Sequence, residues 1–351
     1  MKIISIVGTR PQFLKLTPLI KEFKNHPHII HKILHTGQHM DKEMSDDIFK
    51  LLELEQPDYN LNINCKSHGE LTGLMLIEIE KILIEEQPKY VLVYGDCDTT
   101  LAGAIAAVKL HIKCVHIESG LRSYNKNMPE EINRIMVDHV ADILCCPTEY
   151  AKDNLIKEGI KDNIFITGNL QIDLLKDIIG KYNRLDILNK NNLDVNNFIL
   201  LTIHRDYNTN ENSLIIIFNQ LEKLNLKIFF PVHPRTRKII INSKISVPKN
   251  IILDKPVNYL DMTILERHCK YIITDSGGIQ AEAFYLKKKC FTIRTETEWI
   301  DTLENNWNQL VDINEIYDTI KNNDYDKNKT VINNDELNCS LNIFNLMLLV
   351  D

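Results

Sequence analysis

Glycine is scarce in this chain: 12 of 351 residues, about 3.4%, roughly half of ordinary usage. A chain this poor in glycine keeps its few where the backbone demands them, so their neighbourhoods are informative. A basic excess is missing too. Lys and Arg total 41 against 48 Asp and Glu, a formal charge of −7, which lacks the footprint of a nucleic-acid binder. There is no uninterrupted apolar run of about 18 residues, so no membrane-spanning helix is expected. The N-terminal MKIISIVGTRPQF has a short apolar run and no small-residue cleavage site, so it does not read as a signal peptide. The eight cysteines form no CxxC pair, and Cys114, Cys145, Cys146 and Cys290 sit in apolar strand-like runs. Free cysteine there acts as a small buried hydrophobe, and the expectation is a reduced, cytoplasmic compartment without structural zinc. Five histidines lie between His26 and His39, but no Cys or carboxylate completes a ligand set, so no metal is expected. GxGxxG and GxxxxGK[ST] are absent, which argues against dinucleotide and P-loop sites. No short-period repeat appears, which excludes a solenoid.

What is present is an alternation. Apolar runs at 2–7, 29–35, 90–95, 113–118, 142–147, 163–168, 197–204, 226–233, 250–254, 271–275 and 290–294 read as strands. Amphipathic stretches at 12–25, 69–87, 98–111, 130–140, 149–158, 211–223 and 277–287 read as helices, with a last one near 337–350. Strands alternating with helices imply βαβ units and parallel sheets buried on both faces. Eleven strands are many for one open sheet, and the length suits about two domains. The Asn/Lys/Leu-rich stretch 176–196 carries little strand pattern, and the Asn-rich segment 321–336 reads as a surface loop. The fold class is therefore α/β, two doubly wound parallel-sheet domains with a cleft between them. They are expected at 1–170 and 171–351, the last helix packing back on the first domain.

In open α/β sheets, ligands bind beyond the carboxyl ends of the strands. Those ends carry Gly8-Thr9-Arg10-Pro11 with Lys15, Gly95-Asp96, Glu118, His204-Arg205, His233, Asp275-Ser276-Gly277-Gly278 with Glu282, and Arg294. Pro129-Glu130-Glu131 opens a helix that also holds Arg134. Ser276-Gly277-Gly278 at a strand-to-helix junction suits an anion approaching backbone N–H groups. With Arg10, Lys15, Arg205 and Arg294 at other strand ends, a diphosphate and hence a nucleotide-sugar is suggested. Asp96, Glu118, Glu130 and Glu131 are grouped carboxylates, which can divide acid and base roles. For Glu130 and Glu131 the alternative is ordinary first-turn charge on a helix.

These residues fall in ordered motifs: GTRP (8–11), HTGQH (35–39), GD (95–96), HIESGLR (116–122), PEEINR (129–134), PTE (147–149), HR (204–205), VHP (232–234) and TDSGGIQ (274–280). By them the chain resembles the non-hydrolysing UDP-N-acetylglucosamine 2-epimerases along essentially its full length. The resemblance implies a glycosyltransferase B-like fold, a homodimer, and elimination of UDP to a 2-acetamidoglucal followed by re-addition, without NAD or metal. It implies Asp96, Glu118 and Glu130 as acid/base carboxylates and His204 near the leaving diphosphate. Arg10, Lys15 and Arg134 match first-domain substrate residues. Ser276, Gly277, Gly278 and Arg294 match UDP-binding positions, and Glu282 matches the acceptor of the ribose hydroxyls. Gln38, Arg205 and His233 match parts of a second UDP-N-acetylglucosamine site found in some members, whose expected Arg near 70–76 is absent here.

Gln12 stands where the family has Glu, HRDYN replaces HRxEN, and TETEW replaces TERPE. GTRPQF, HPRTR and TETEW together are similar to the subgroup acting on UDP-2,3-diacetamido-2,3-dideoxyglucuronate or on UDP-linked 6-deoxy-N-acetylhexosamines. For a uronate, Arg122 or Arg235 could supply the cation; for a 6-deoxy sugar, Tyr124, Met128 or Trp299 could supply an apolar wall. Rival readings are a glycosyltransferase of the same architecture and an inactive nucleotide-sugar sensor.

Overall fold

The computed structural model describes residues 1–38, 51–52, 54–63, 65, 67–182, 185–323 and 337–350. His39 and most of the expected surface loop, 324–336, lie outside the described residues. The chain divides into two compact units, Met1–Leu174 with Asn334–Asp351, and Leu175–Asn333. The helix Leu170–Lys181 carries the chain from one unit into the other.

The first unit is built on seven strands: β1 (Lys2–Val7), β2 (Ile30–His35), β3 (Tyr59–Asn60), β4 (Tyr90–Tyr94), β5 (Lys113–Ile117), β6 (Ile143–Cys146) and β7 (Ile164–Ile166). Their order is β3-β2-β1-β4-β5-β6-β7, with every pairing parallel. Strands such as β4 are buried at every residue, because helices cover both faces, and so they read as unbroken apolar runs. Met75, Ile79 and Leu83 of the helix His68–Glu86 pack on one face with Ile4, Ile6, Val91 and Val93. The last helix, Cys339–Leu349, returns to this unit. Its Phe344 stacks on His26 at 3.9 Å, and its Met347 carbonyl accepts from the Tyr90 hydroxyl at 2.9 Å.

The second unit is built on β8 (Phe198–Thr202), β9 (Lys227–Pro231), β10 (Ile251–Asp254), β11 (Tyr271–Thr274), β12 (Lys289–Thr292) and β13 (Asn308–Leu310). The order is β10-β9-β8-β11-β12-β13, again all parallel. Ile199, Leu201, Phe230, Ile273 and Phe291 form much of its core. Two strands go beyond the eleven expected. Both β3 and β13 are edge strands of two or three residues containing Asn, too short to show a period and defined only by the neighbour they pair with.

Helix starts follow local chemistry. Ser67, Thr148, Asn210, Asn258 and Asn338 each accept from the amide three residues on, satisfying a donor that the helix cannot. Proline opens the helices Arg10–Lys24, Pro129–Val140 and Pro234–Asn242, where its missing N–H costs nothing. In both sheets the strand order reverses in the middle, between β1 and β4 and between β8 and β11. At such a reversal neighbouring crossovers part and leave room above the strand ends.

Candidate active site

In the first unit the reversal point gathers the loops after β1, β4 and β5. Lys15 Nζ lies 2.6 Å from Glu118 Oε2, and both side chains are largely buried. Arg134 pairs with Asp96, and with Glu131 at 2.8 Å. Gly95 sits among them at φ +65°. A Cβ there would lie 3.4 Å from Lys15 Nζ and 3.9 Å from Glu118 Oε1. The left-handed backbone is what favours glycine here, since a side chain would be strained at that φ. Glu118 is itself left-handed, at φ +70°. Its N–H and that of Ser119 both donate to the Cys145 carbonyl at 3.1 Å, which holds the strained turn. Such strain persists only where surroundings over-determine it, and it concentrates at working sites.

Glu130 stands apart. It is half-buried in the first turn of Pro129–Val140, with no hydrogen bond or ion pair among the described residues. Its neighbour Glu131 is fully buried and accepts from Ser123 N–H and hydroxyl, from Tyr124 N–H and from Arg134. The grouping of four carboxylates therefore splits: Glu131 is an internal anchor, and Asp96, Glu118 and Glu130 are the ones that retain some exposure. Arg10 opens the helix that carries Lys15.

Beneath this layer runs a buried chain that motif reading missed. His116 Nδ1 donates to Asp138 Oδ1 at 2.6 Å and Nε2 donates to the Gly95 carbonyl at 2.8 Å. Both partners are acceptors, so both ring nitrogens must donate. Asp138 Oδ2 accepts from Arg122 at 2.7 Å and from Gly120 N–H at 3.1 Å. Burial pushes the Asp138 carboxyl up, but His116 and Arg122 outweigh it and hold it below the usual carboxylate range. Arg122 also forks onto Glu158 with two 2.7 Å contacts. Buried and paired with both Asp138 and Glu158, Arg122 already serves this internal network rather than standing as a free cation for a uronate. The only forewarning was the alternation of His116 and Glu118 along one run.

One departure from the family motifs, Gln12, has a local explanation, and the matching Gln38 is held nearby. Gln12 Oε1 accepts from Gly8 and Thr9 N–H at 2.7 and 3.1 Å, while Nε2 donates to the Tyr94 carbonyl at 2.8 Å and to Thr100 at 3.1 Å. An amide serves both ends of this network; a carboxylate cannot donate. Gln38 Oε1 accepts from Thr99 N–H and hydroxyl at 3.0 and 2.7 Å.

In the second unit, β8 and β11 end side by side, Thr202 opposite Thr274. Just beyond, buried Asp275 accepts from His204 N–H, Arg205 N–H and the Asn208 amide at 3.0–3.2 Å. His204 Nδ1 lies 2.9 Å from Asp275 Oδ1, while about half of the His204 side chain is exposed. Burial raises the Asp275 carboxyl; His204, Asn208 and the Arg205 amide lower it further than that, and it stays below the usual range. The orienting role of Asp275 was not foreseen, because a buried Asp beside SGG reads as part of the turn. Arg235 reaches the His204 carbonyl at 3.0 Å and Asp206 at 2.6 Å, and exposed His233 Nδ1 accepts from Arg235 N–H at 3.2 Å.

Ser276, Gly277 and Gly278 form the start of the helix Gly277–Tyr285. The Glu298 carboxylate lies so close to Gly277 that a Cβ there would stand 2.3 Å from Glu298 Oε1. Glu298 pairs with buried Arg294 at 2.8 Å. Trp299 is buried, its indole nitrogen beside Gly277. Glu282 is buried in the same helix and accepts from the Tyr259 hydroxyl. The sequence-selected residues thus fall into two sets, one at each reversal point, with His233 at the surface end of the neighbouring β9.

A family model described as UDP-N-acetylglucosamine 2-epimerase matches residues 21–336. A UDP-N-acetylglucosamine 2-epimerase homolog of Methanococcus maripaludis is 49% identical over 322 residues, covering 90% of this chain and 89% of that protein. The UDP-2,3-diacetamido-2,3-dideoxy-D-glucuronate 2-epimerase of Pseudomonas aeruginosa is 41% identical over 315 residues, covering 89% and 88%. The crystal structure of Methanocaldococcus jannaschii UDP-GlcNAc 2-epimerase in complex with UDP-GlcNAc and UDP superposes with TM-score 0.89 at 39% identity, covering 99% of this chain and 100% of that one. Two parallel-sheet α/β units of this kind make the glycosyltransferase B-like class.

Proposed function

This chain belongs to the UDP-N-acetylglucosamine 2-epimerase family, and from that premise we propose that it inverts C2 of a UDP-2-acetamido sugar by eliminating UDP and adding it back. In the first half-reaction a base takes the C2 proton and the C1–O bond to the diphosphate breaks, its electron pair leaving with UDP. The 2-acetamidoglucal remains. In the second, a β-phosphate oxygen of UDP reforms the bond at C1 and a proton reaches C2 from the opposite face. The observation that carries this reading is the set of carboxylates in the first unit: Glu118 paired with Lys15 and Asp96 paired with Arg134 at the reversal point, and Glu130, in the helix that carries Arg134, without a partner among the described residues. These are the groups we assign to proton removal and delivery, with Arg10, Lys15 and Arg134 facing the sugar. A fixed cation beside each of two carboxylates supports charge separation in the transition state.

The second unit supplies the leaving-group site in this reading. Ser276, Gly277, Gly278, Arg205, His233 and Arg294 take the diphosphate, His204 receives its developing charge through Nε2, and Glu282 accepts from the ribose hydroxyls. Glu298, beside Gly277, must then make room for the phosphate. UDP-N-acetylglucosamine and its C2 epimer are the first pair to test, the product serving polysaccharide biosynthesis in the cytoplasm. A homodimer is supported by exposed apolar side chains on two helices of the first unit: Leu74, Ile77 and Ile84 on one, and Ile132, Met136 and Val140 at helical spacing on the other. Among the described residues no helix is long and apolar enough to cross a membrane.

Incubation with UDP-N-acetylglucosamine and related sugars in D₂O tests the proposal. Deuterium at C2 of both epimers is expected. UDP accumulating only with an added acceptor would instead mark a glycosyltransferase, and binding without exchange a sensor. A second substrate reading is favoured by the 41% identity to the diacetamido-glucuronate enzyme. Against it stands Arg122, already paired with Asp138 and Glu158. A neutral sugar should therefore be turned over faster than its uronate analogue. A uronate ahead by about tenfold in kcat/KM, worth about 1.4 kcal/mol of transition-state binding, would reverse that choice.

A further inference from the structure

The second unit holds a buried carboxyl pair of which only one member, Glu282, has a task in the reaction. The helix Tyr259–His268 packs on the helix Gly277–Tyr285. Glu266 of the first meets Glu282 of the second, carboxyl against carboxyl within hydrogen-bond reach. Glu266 is fully buried and Glu282 almost so. The Tyr259 hydroxyl donates to Glu282 Oε1. Apart from what a proton on the pair itself supplies, no donor among the described residues reaches either oxygen of Glu266. Two ionised carboxylates side by side in a dry site, with no cation on Glu266, repel and lose their hydration together. A proton between them removes the repulsion and leaves a single charge to be held. Glu282 already has a hydroxyl donor and so is the better seat for the negative charge. Burial first, and then the field of Glu282, push the Glu266 carboxyl well above the usual carboxylate range, in keeping with that assignment.

We propose that Glu266 is a neutral acid that donates its proton to Glu282 and, together with Tyr259, holds Glu282 as an aimed, ionised acceptor for a vicinal diol, the ribose of a uridine nucleotide. The proposal rests on the reading of Glu282 as the ribose acceptor. Glu266 touches no substrate; it is a positioning residue. An acid–carboxylate pair suits this task because it fixes the rotamer of Glu282 while leaving one full negative charge on it, and charged acceptors make the stronger hydrogen bonds.

Titration calorimetry with UDP and with 2′,3′-dideoxy-UDP separates this from a role in folding alone. The folded wild-type chain should prefer UDP by about tenfold or more, the worth of one hydrogen bond to a charged acceptor. Glu266→Gln keeps a donor toward Glu282 and should keep the preference. Glu266→Leu removes the donor and should weaken UDP by about tenfold while leaving the dideoxy ligand unchanged, so that the preference vanishes. A folded Glu266→Leu chain that retains the preference, or one that weakens both ligands alike, overturns the proposal. If the wild-type chain binds no UDP, the nucleotide reading of this unit fails. The acid is still read directly, because the infrared difference between wild type and Glu266→Gln at neutral pH should show the C=O stretch of a neutral carboxylic acid. Absence of that band overturns the neutral acid whether or not UDP binds.

Discussion

In the first unit the carboxylates at the strand ends are paired with side-chain cations and keep some contact with solvent: Glu118 with Lys15, Asp96 with Arg134. In the second they are sealed in. Asp275 is held by two backbone N–H groups, an amide and His204, and Glu282 by a tyrosine and a second acid. Both sets occupy the same place in a doubly wound sheet, the point where the strand order reverses. The difference follows from the tasks assigned to them. A carboxylate that exchanges protons with a substrate must be reachable, and a neighbouring cation supports its charge without closing it off. A carboxylate that orients other groups, as Asp275 does, or presents a fixed acceptor, as Glu282 does, is best buried and held by its neighbours, where its geometry is fixed.

If that division is right, removing charge in the first unit should cost rate and removing it in the second should cost structure. The largest effect is expected from Glu118→Gln or Glu130→Gln, which keep the shape but not proton transfer. Deuterium exchange at C2 should fall by about 10²–10⁴, with UDP binding unchanged by calorimetry. Exchange at the wild-type rate in both variants would take them out of the mechanism.

Next is Asp275→Ala. It leaves His204, Arg205 and Asn208 donors without their acceptor in a buried site, and breaking a buried pair costs about 3 kcal/mol. Chemical denaturation should show that loss in the second unit. A folding midpoint like that of the wild type would show that the sealed carboxylate is dispensable for structure.

A smaller effect tests the first unit's own buried network. Gln12→Glu restores the family's residue but removes donation to the Tyr94 carbonyl and Thr100. It should destabilise by about 1–3 kcal/mol, the cost of buried groups left unsatisfied. A more stable variant would show that the amide is not needed there.

The smallest concerns pH. Burial lowers His31, beside Ser5 and Phe23, from 6.5 to about 4. Because the folded value is depressed, the neutral ring's contribution is present above about 6.5 and is lost as pH falls toward about 4. By about pH 5.5 the loss should reach about 1 kcal/mol, and His31→Asn should flatten that part of the stability curve. An unchanged curve in the variant would assign the acid sensitivity elsewhere.

Much of this was legible beforehand for identifiable reasons. Fully buried parallel strands are continuous apolar runs, so β1, β4, β5 and β8 announce themselves, and whatever follows each run is a candidate for the site. That is how Lys15, Asp96, Glu118, His204 and Ser276 were found. The edge strands β3 and β13 were invisible because two or three residues have no period. Residue type and position did not separate Glu131 from Glu130, since both lie in one helix turn; the family motif singled out Glu130, and the loop at Ser123 and Tyr124 folding over Glu131 makes it the anchor. Arg122 could be a ligand cation or a structural one until Asp138 and Glu158, 16 and 36 residues away, closed on it.

The sequence by itself determined the class of the molecule: two parallel α/β units, the family motifs, and a strand-end inventory rich in carboxylates and cations. Those are local properties, written in hydrophobic runs and in the residue that follows each run. Tertiary structure alone decided which charges meet. Glu118 finds Lys15, Asp138 stands between His116 and Arg122, and Glu266 faces Glu282 across two helices. Pairing between side chains distant in sequence depends on strand order and helix packing, and whether a charge is open, paired or neutral depends on that pairing.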